Sequence, residues 1–238
     1  MSRVWTIATR EYASFFRVPL GWVVVALFLA LSGAVFSGRG FAPGQPATMR
    51  AFFETWWTLL VIVAPAISMR LFSDELRTGT IEPLLTAPVS EFAVVLGKYV
   101  GAVLFLLTLL APTLLYVVLL MSVSRPDVGP IAAGYVGVVL LGMLYLAVGA
   151  LASSLTSSQT LAFLGAFFAL FIFEVLALVA APAAPVGIRT FLYSLSVNQR
   201  MGDFARGLID TGHVVFFLAA SAWFLGLASV VMETRRWR

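Results

Sequence analysis

Six long apolar runs alternate with short polar segments along the chain: Leu20–Phe36, Phe52–Met69, Tyr99–Val123, Ile131–Leu155, Leu161–Ala181 and Val214–Met232. Each has the length an α-helix needs to cross a hydrocarbon core of about 30 Å. No water is present in that core, so backbone N–H and C=O groups must be satisfied within each segment. The runs therefore predict helices and not open sheet. The expected fold is all-α: a single polytopic membrane domain over residues 1–238 with six transmembrane helices.

The first polar segment has its own pattern. Trp5, Ala8, Tyr12, Phe15 and Phe16 recur at helical spacing, with Arg3, Arg10, Glu11 and Arg17 on other faces. This predicts an interfacial helix over 1–18 with aromatics in the headgroup zone. Pro19 turns the chain into the first run. A cleaved signal peptide is the competing reading of a basic start before an apolar run. The long, aromatic leading segment and the five further runs count against it. Ser37–Ala51 is a Gly/Pro loop, and Ser153–Thr160 reads as a tight uncharged turn between the fourth and fifth spans. The segment 182–212 opens with Pro182 and Pro185. Within it Met201, Phe204 and Leu208 have helical spacing among Arg200, Asp203, Arg206 and Asp210, which predicts a surface amphipathic helix.

Composition strengthens the membrane reading. The chain is 61% hydrophobic and 11% charged, with mean hydropathy +1.01, whereas a soluble domain carries about a quarter charged residues. With no cysteine, disulfides, thiolate metal sites and a cysteine nucleophile are excluded. The net charge of +4 is spread over scattered basic residues, which points to a lipid bilayer and away from nucleic acid. With an even number of spans, Arg3, Arg10, Arg17, Arg70, Arg77, Lys98, Arg235, Arg236 and Arg238 share one side. By the positive-inside bias that side, with both termini, is the cytoplasm.

The polar island between the second and third runs, Arg70–Pro83, then faces the cytoplasm. Ser73 is placed to cap a first helical turn, with Asp74 and Glu75 where a helix N-terminus favours acids. Gly79 breaks that turn. Thr80 opens a second, with Glu82 and Pro83 in its first positions and Leu84 and Leu85 as apolar grip. Ser90 with Glu91 starts the third span. The result is a short transverse helix within 73–89.

This segment resembles the coupling region of the membrane subunits of type-2 ATP-binding-cassette exporters. There a block of the form acidic–x–basic–Thr/Ser-Gly-Thr–x–Glu–x–Leu-Leu-Thr–x–Pro joins spans two and three. Here it stands as Asp74-Glu75-Leu76-Arg77-Thr78-Gly79-Thr80-Ile81-Glu82-Pro83-Leu84-Leu85-Thr86-Ala87-Pro88. The segment Val94–Gly101 is similar to the family's entry to span three. The chain most resembles the gliding-motility-associated permease branch, through Arg10–Pro19, Ala64–Phe72 and Phe204–Thr211. Pro83, where many relatives carry Leu, and Gly212-His213, where a charged pair is common, depart from the pattern.

The resemblance implies a six-span permease paired with a second permease copy, in a homodimer or heterodimer. It is driven by two cytoplasmic ATPase subunits that bind ATP and Mg themselves. This chain would then have no catalytic residue, metal site or cofactor of its own. Its coupling residues would be Asp74, Glu75, Arg77, Thr78, Gly79, Thr80, Ile81, Glu82 and Leu85. The sequence agrees that ATP chemistry lies elsewhere: Lys98 follows Gly97, but Tyr99 stands where a phosphate loop needs Ser or Thr.

Other residues carry competing readings. Glu174 lies inside the fifth run, where an acid is costly and needs a partner or a water path. It is either a polar point on the transport path or dimer seam, or an acid bonded to a neighbouring helix. His213, the only histidine, reads as an interfacial hydrogen-bonding residue, because one histidine builds neither a metal site nor a triad. Asp203 and Asp210 read as a solvated charged face. Gly97 and Gly101 permit close helix approach, within one subunit or across a dimer. Trp56 and Trp57 fit an aromatic belt. Arg70 is a topology anchor or a salt-bridge partner of the first helix through Glu11. The leading expectation is an export permease. The alternative is a force-transmitting subunit of a motility or assembly complex, acting through 182–212 on a periplasmic accessory protein. An intramembrane enzyme built on Glu174 and His213 is the third reading, and it lacks a nucleophile.

Overall fold

The computed structural model describes residues 3–39, 48–80, 90–176, 179, 185, 187, 189 and 196–236. Every regular element among them is helical. In order they are α1 (Arg3–Arg17), α2 (Pro19–Arg39), α3 (Arg50–Ser68), α4 (Ser73–Thr78), α5 (Glu91–Leu110), α6 (Leu114–Val123), α7 (Val128–Leu155), α8 (Gln159–Val175), α9 (Val197–Ala205) and α10 (Thr211–Arg236). A 3-10 turn, Ala111–Thr113, joins α5 to α6. Pro112 removes a helical N–H there, which interrupts the α-helical hydrogen bonding of the third apolar run.

Among the described residues five stretches are long and apolar enough to cross a membrane: Gly21–Gly38, Arg50–Thr78, Glu91–Val123, Val128–Leu155 and Thr211–Arg235. The fold is that of a polytopic membrane protein. The expected fifth span, Leu161–Ala181, is represented by α8, which is apolar and 17 residues long. At 1.5 Å per residue that is about 25 Å.

α7 is the hub. It is the most deeply buried span and packs against α3, α5, α8, α9 and α10. Small residues make this close approach feasible, because contact between helices in lipid depends on backbones coming near one another. A Cβ at Gly149 would lie 1.8 Å from Ser68 Oγ of α3, and one at Gly134 would lie 2.3 Å from Phe53 Cε2. Around the hub, Phe28 of α2 packs on Trp56 of α3, and Phe36 stacks on Tyr116 of α6. Trp56 is thus a core residue and not part of an interfacial belt, since its ring is covered by Phe28 and Phe52.

The charged residues gather at two ends. The start of α1, the island and the end of α10 lie at one end, where Arg235 Nη2 donates to the Leu155 carbonyl at 2.9 Å. At the other, Arg50, Asp127 and Ala205 surround a small cavity.

The N-terminal helix differs from the expectation in what covers it. α1 runs beside the first half of α5 and advances with it. Ile7 faces Gly97, Glu11 faces Gly101, and Phe15 stacks on Phe105 at 4.5 Å. The Ala8–Phe15 stripe expected to meet headgroups is buried against α5. The close Gly97 and Gly101 contact is therefore made inside one subunit.

Candidate functional site

The island is built as an exposed tip on a buried shank. α3 stops at Ser68, and α4 begins at Ser73 after a turn. Gly79 adopts φ 71°, the left-handed conformation that ends α4 without a Cβ penalty. Arg77, Thr78, Gly79 and Thr80 are exposed, with the Thr78 and Thr80 hydroxyls 2.8 Å apart. Ile81, Glu82 and Leu85, together with the second turn expected around Pro83, lie outside the described residues.

Three neighbours fix the shank. On one side, Lys98 Nζ of α5 sits 3.0 Å from Glu11 Oε2 of α1 and 2.9 Å from Glu75 Oε1 of α4. The Lys98 side chain is only 5% exposed, and the ammonium also lies 5.6 Å over the Phe72 ring. Glu75 Oε2 is buried without a hydrogen-bond partner among the described residues. Glu75, expected among the ATPase-coupling residues, therefore points into the protein and ties α4 to α1 and α5. On the other side, Gln159 Nε2 of α8 donates to Asp74 Oδ1, which also faces Arg77 Nη2 at 3.5 Å.

The third neighbour is Ser153 of α7. Its Oγ accepts from the Phe72 and Ser73 backbone N–H groups at 3.0 and 3.1 Å and donates to the Met69 carbonyl at 2.9 Å. Sequence reasoning assigned the cap of α4 to Ser73. The structure places Phe72 at the cap position with no side-chain cap bond, and the Ser73 hydroxyl turns back to the Met69 carbonyl. A serine 80 positions away thus serves the orphan donors. Ser153→Ala leaves two buried N–H groups unpaired, a cost of about 1–3 kcal/mol each. We expect limited proteolysis to cut the 73–89 segment faster in that variant, by at least several-fold, with the remaining fragments unchanged.

Arg70 closes α3 and does reach α1, but not through Glu11. Its Nη2 lies 3.4–3.5 Å from the Ser14 hydroxyl and carbonyl, and its guanidinium sits 5.2 Å over the Phe15 ring. Glu11 is already taken by Lys98.

The far end holds a second polar cluster. His213 Nε2 of α10 is 3.0 Å from Asp203 Oδ2 of α9, and its Nδ1 is 2.8 Å from Arg200 Nη1. Arg200 Cζ lies 3.9 Å over the Phe216 ring. Burial draws the Arg200 guanidinium below its ordinary pKa, and the Asp210 charge opposes that shift. Asp203 is thus a helix–helix link and not a solvated charge. Met201 and Phe204 are buried as the amphipathic pattern predicts, while Leu208, beyond the end of α9, is exposed. Glu174 has a different partner: Tyr145 of α7 donates to its Oε1 at 2.5 Å. The structure does not join Glu174 and His213 into one site. Among the described residues no group of three or more metal-ligating side chains occurs.

The residue pattern that defines the ABC-2 family transporter protein matches residues 5–233, from the first turn of α1 to the last turn of α10. The chain belongs to the ABC-2 transporter family. A relative with a more specific description is a probable ABC transporter permease protein, NosY, from Stutzerimonas stutzeri, 30% identical over 107 residues. That match covers 42% of this chain and 39% of the relative. Within this ABC-2 transporter protein the bracketed island is the best-defined polar assembly at its end of the helix bundle. Lys98 was legible in the sequence only as a charge on the island's side and as a failed phosphate-loop lysine; its role between Glu11 and Glu75 needed the packing of α1, α4 and α5.

Proposed function

We propose that this chain is the permease subunit of an ATP-driven exporter, with the island as the surface that receives movement from a separate ATPase. The observation that carries this reading is the Glu11–Lys98–Glu75 assembly. A lever transmits displacement only if its shank is stiff, and α4 is tied to three spans and to α1 by buried polar contacts. Arg77, Thr78, Gly79 and Thr80 at the tip, with Ile81, Glu82 and Leu85 beyond them, are the surface offered to the ATPase. Asp74 and Glu75 hold that surface in place.

In this reading ATP and Mg belong to the partner, and Lys98, engaged by two carboxylates, has no ammonium free for a phosphate. Two permease copies and two ATPase chains form the working unit, with six spans per copy and α8 within the fifth. The island end, holding both α1 and the end of α10, faces the cytoplasm of a bacterial inner membrane. The likeness to the gliding-motility-associated branch rests on the blocks Arg10–Pro19, Ala64–Phe72 and Phe204–Thr211.

The test is retention of the ATPase. Reversing two charges of the contact surface, Arg77→Glu with Glu82→Lys, should reduce co-purification of the ATPase at least tenfold while the permease stays folded by size-exclusion chromatography. Undiminished co-purification and ATPase stimulation would rule out the island as the docking surface.

A further inference from the structure

Between α3 and α8, roofed by α9, lies a cavity of about 310 Å³. Trp57, Ile62, Phe167 and Phe171 supply most of its described wall, Asn198 contributes an amide from α9, and Glu174 supplies the one carboxylate among the described lining residues. Among the described residues no lysine, arginine or histidine lines it. Counting 1.5 Å per residue from the start of α8 at Gln159, Glu174 stands about 22 Å along the helix, inside a hydrocarbon core of about 30 Å. A carboxylate at that depth requires compensation. Among the described residues Glu174 accepts one hydrogen bond, from Tyr145, which leaves acceptor capacity to spare, and no salt bridge reaches it. The wall is open on the lipid side, where Ile62 and Phe171 are about half exposed.

We propose that this cavity binds an amphipathic organic cation, an ammonium group on an apolar chain, with Glu174 as its counter-ion. The chemistry selects the class from both sides. An anion would meet an uncompensated negative charge, and a neutral lipid would leave that charge as it is. An ammonium pairs with Glu174 in a low dielectric, and the faces of Trp57, Phe167 and Phe171 attract the same cation. The open side lets the apolar chain remain among lipid tails, so the ligand enters laterally from the bilayer. A cavity of this size takes the headgroup and the first part of the chain. The assignment rests on the transport reading only in treating the ligand as cargo; binding itself requires no ATPase.

The test uses the full chain with its ATPase in phosphatidylcholine nanodiscs, without nucleotide, with radiolabelled dodecylamine as the probe. Partition into protein-free nanodiscs is subtracted. Saturable dodecylamine binding is expected. It should weaken at least tenfold in Glu174→Gln, which retains an acceptor for Tyr145. It should be lost in Ile62→Lys, which places a tethered ammonium at the cavity wall from a lipid-exposed position. Dodecanol and dodecanoate should show no saturable binding. Absence of saturable amine binding, equal binding of amine and alcohol, or binding unchanged in both variants would overturn the proposal and leave Glu174 as a structural acceptor for Tyr145. ATPase retention in the same nanodiscs is read separately. Loss of amine binding with the ATPase in place counts against this site alone, and undiminished retention of the ATPase in the Arg77→Glu/Glu82→Lys variant with amine binding intact counts against the coupling reading alone.

Discussion

Lys98→Met should uncouple the island and destabilise the protein together. The substitution preserves the length and apolar stem of the side chain and removes only the ammonium. Two carboxylates, Glu11 and Glu75, are then left facing each other with side chains 13% and 26% exposed. Removing one partner of a buried ion pair costs about 3–5 kcal/mol, because the remaining charge has lost both water and its counter-ion. Here two acids depend on one base, so the upper part of that range is expected. The measurements are the thermal midpoint of the detergent-purified permease and the stimulation of its co-purified ATPase. Neutralising all three positions, as Glu11→Gln, Lys98→Met and Glu75→Gln, should recover most of the stability, because the cost lies in the unpaired charge and not in the shape. It should not recover the stimulation if the ion pairs themselves tie α4 to α5. Unchanged stability in the single variant would mean that the carboxylates reach water, contrary to the burial of the assembly.

The second large effect is expected at Gly149. Alanine there places a methyl group 1.8 Å from Ser68 Oγ and 2.6 Å from Ser68 Cβ. Ser68 is fully buried, and its hydroxyl is held 2.7 Å from the Ala64 carbonyl, so it cannot swing away. α3 must move off α7, and overpacking of this kind costs about 1–3 kcal/mol. Because α3 leads directly into the island, that shift also displaces the shank. Gly165→Ala on α8 is the matched control: nothing lies within 4 Å of its added Cβ, so the change should be neutral or stabilising by up to about 1 kcal/mol through helix propensity. Differential thermal unfolding of the two variants separates close packing from a general effect of filling glycines. Equal midpoints would show that α3 and α7 are not in the contact described.

Different levels of the structure were readable to different depths. The island's helical start, its break at Gly79 and the start of α5 at Ser90 were legible, because each depends on the backbone preferences of a few adjacent residues. Ser90 accepts from Ala93 N as a local cap does. The cap of α4 was not legible, because its acceptor is Ser153. The pattern in α1 was read correctly as one apolar stripe, but a stripe does not say whether lipid or protein covers it. Trp56 and Trp57 are adjacent in sequence, yet one lies in the core and the other at a cavity.

The sequence by itself determined that this is an all-helical membrane protein, and the island's residue order pointed to the transporter family to which it belongs. The lengths of apolar runs and the chemistry of a short block are local quantities, and local quantities survive in a linear pattern. Only the tertiary structure decided that Glu75 turns inward, that Lys98 holds Glu11 across 87 residues of chain, and that Glu174 stands between a tyrosine and a cavity. The physical reason lies in the spans themselves. A helix such as α7 is apolar all round, so its periodicity names no preferred face, and the pairing of faces is set by where small residues allow backbones to approach. Polar partners are chosen by that approach and not by their spacing in the sequence.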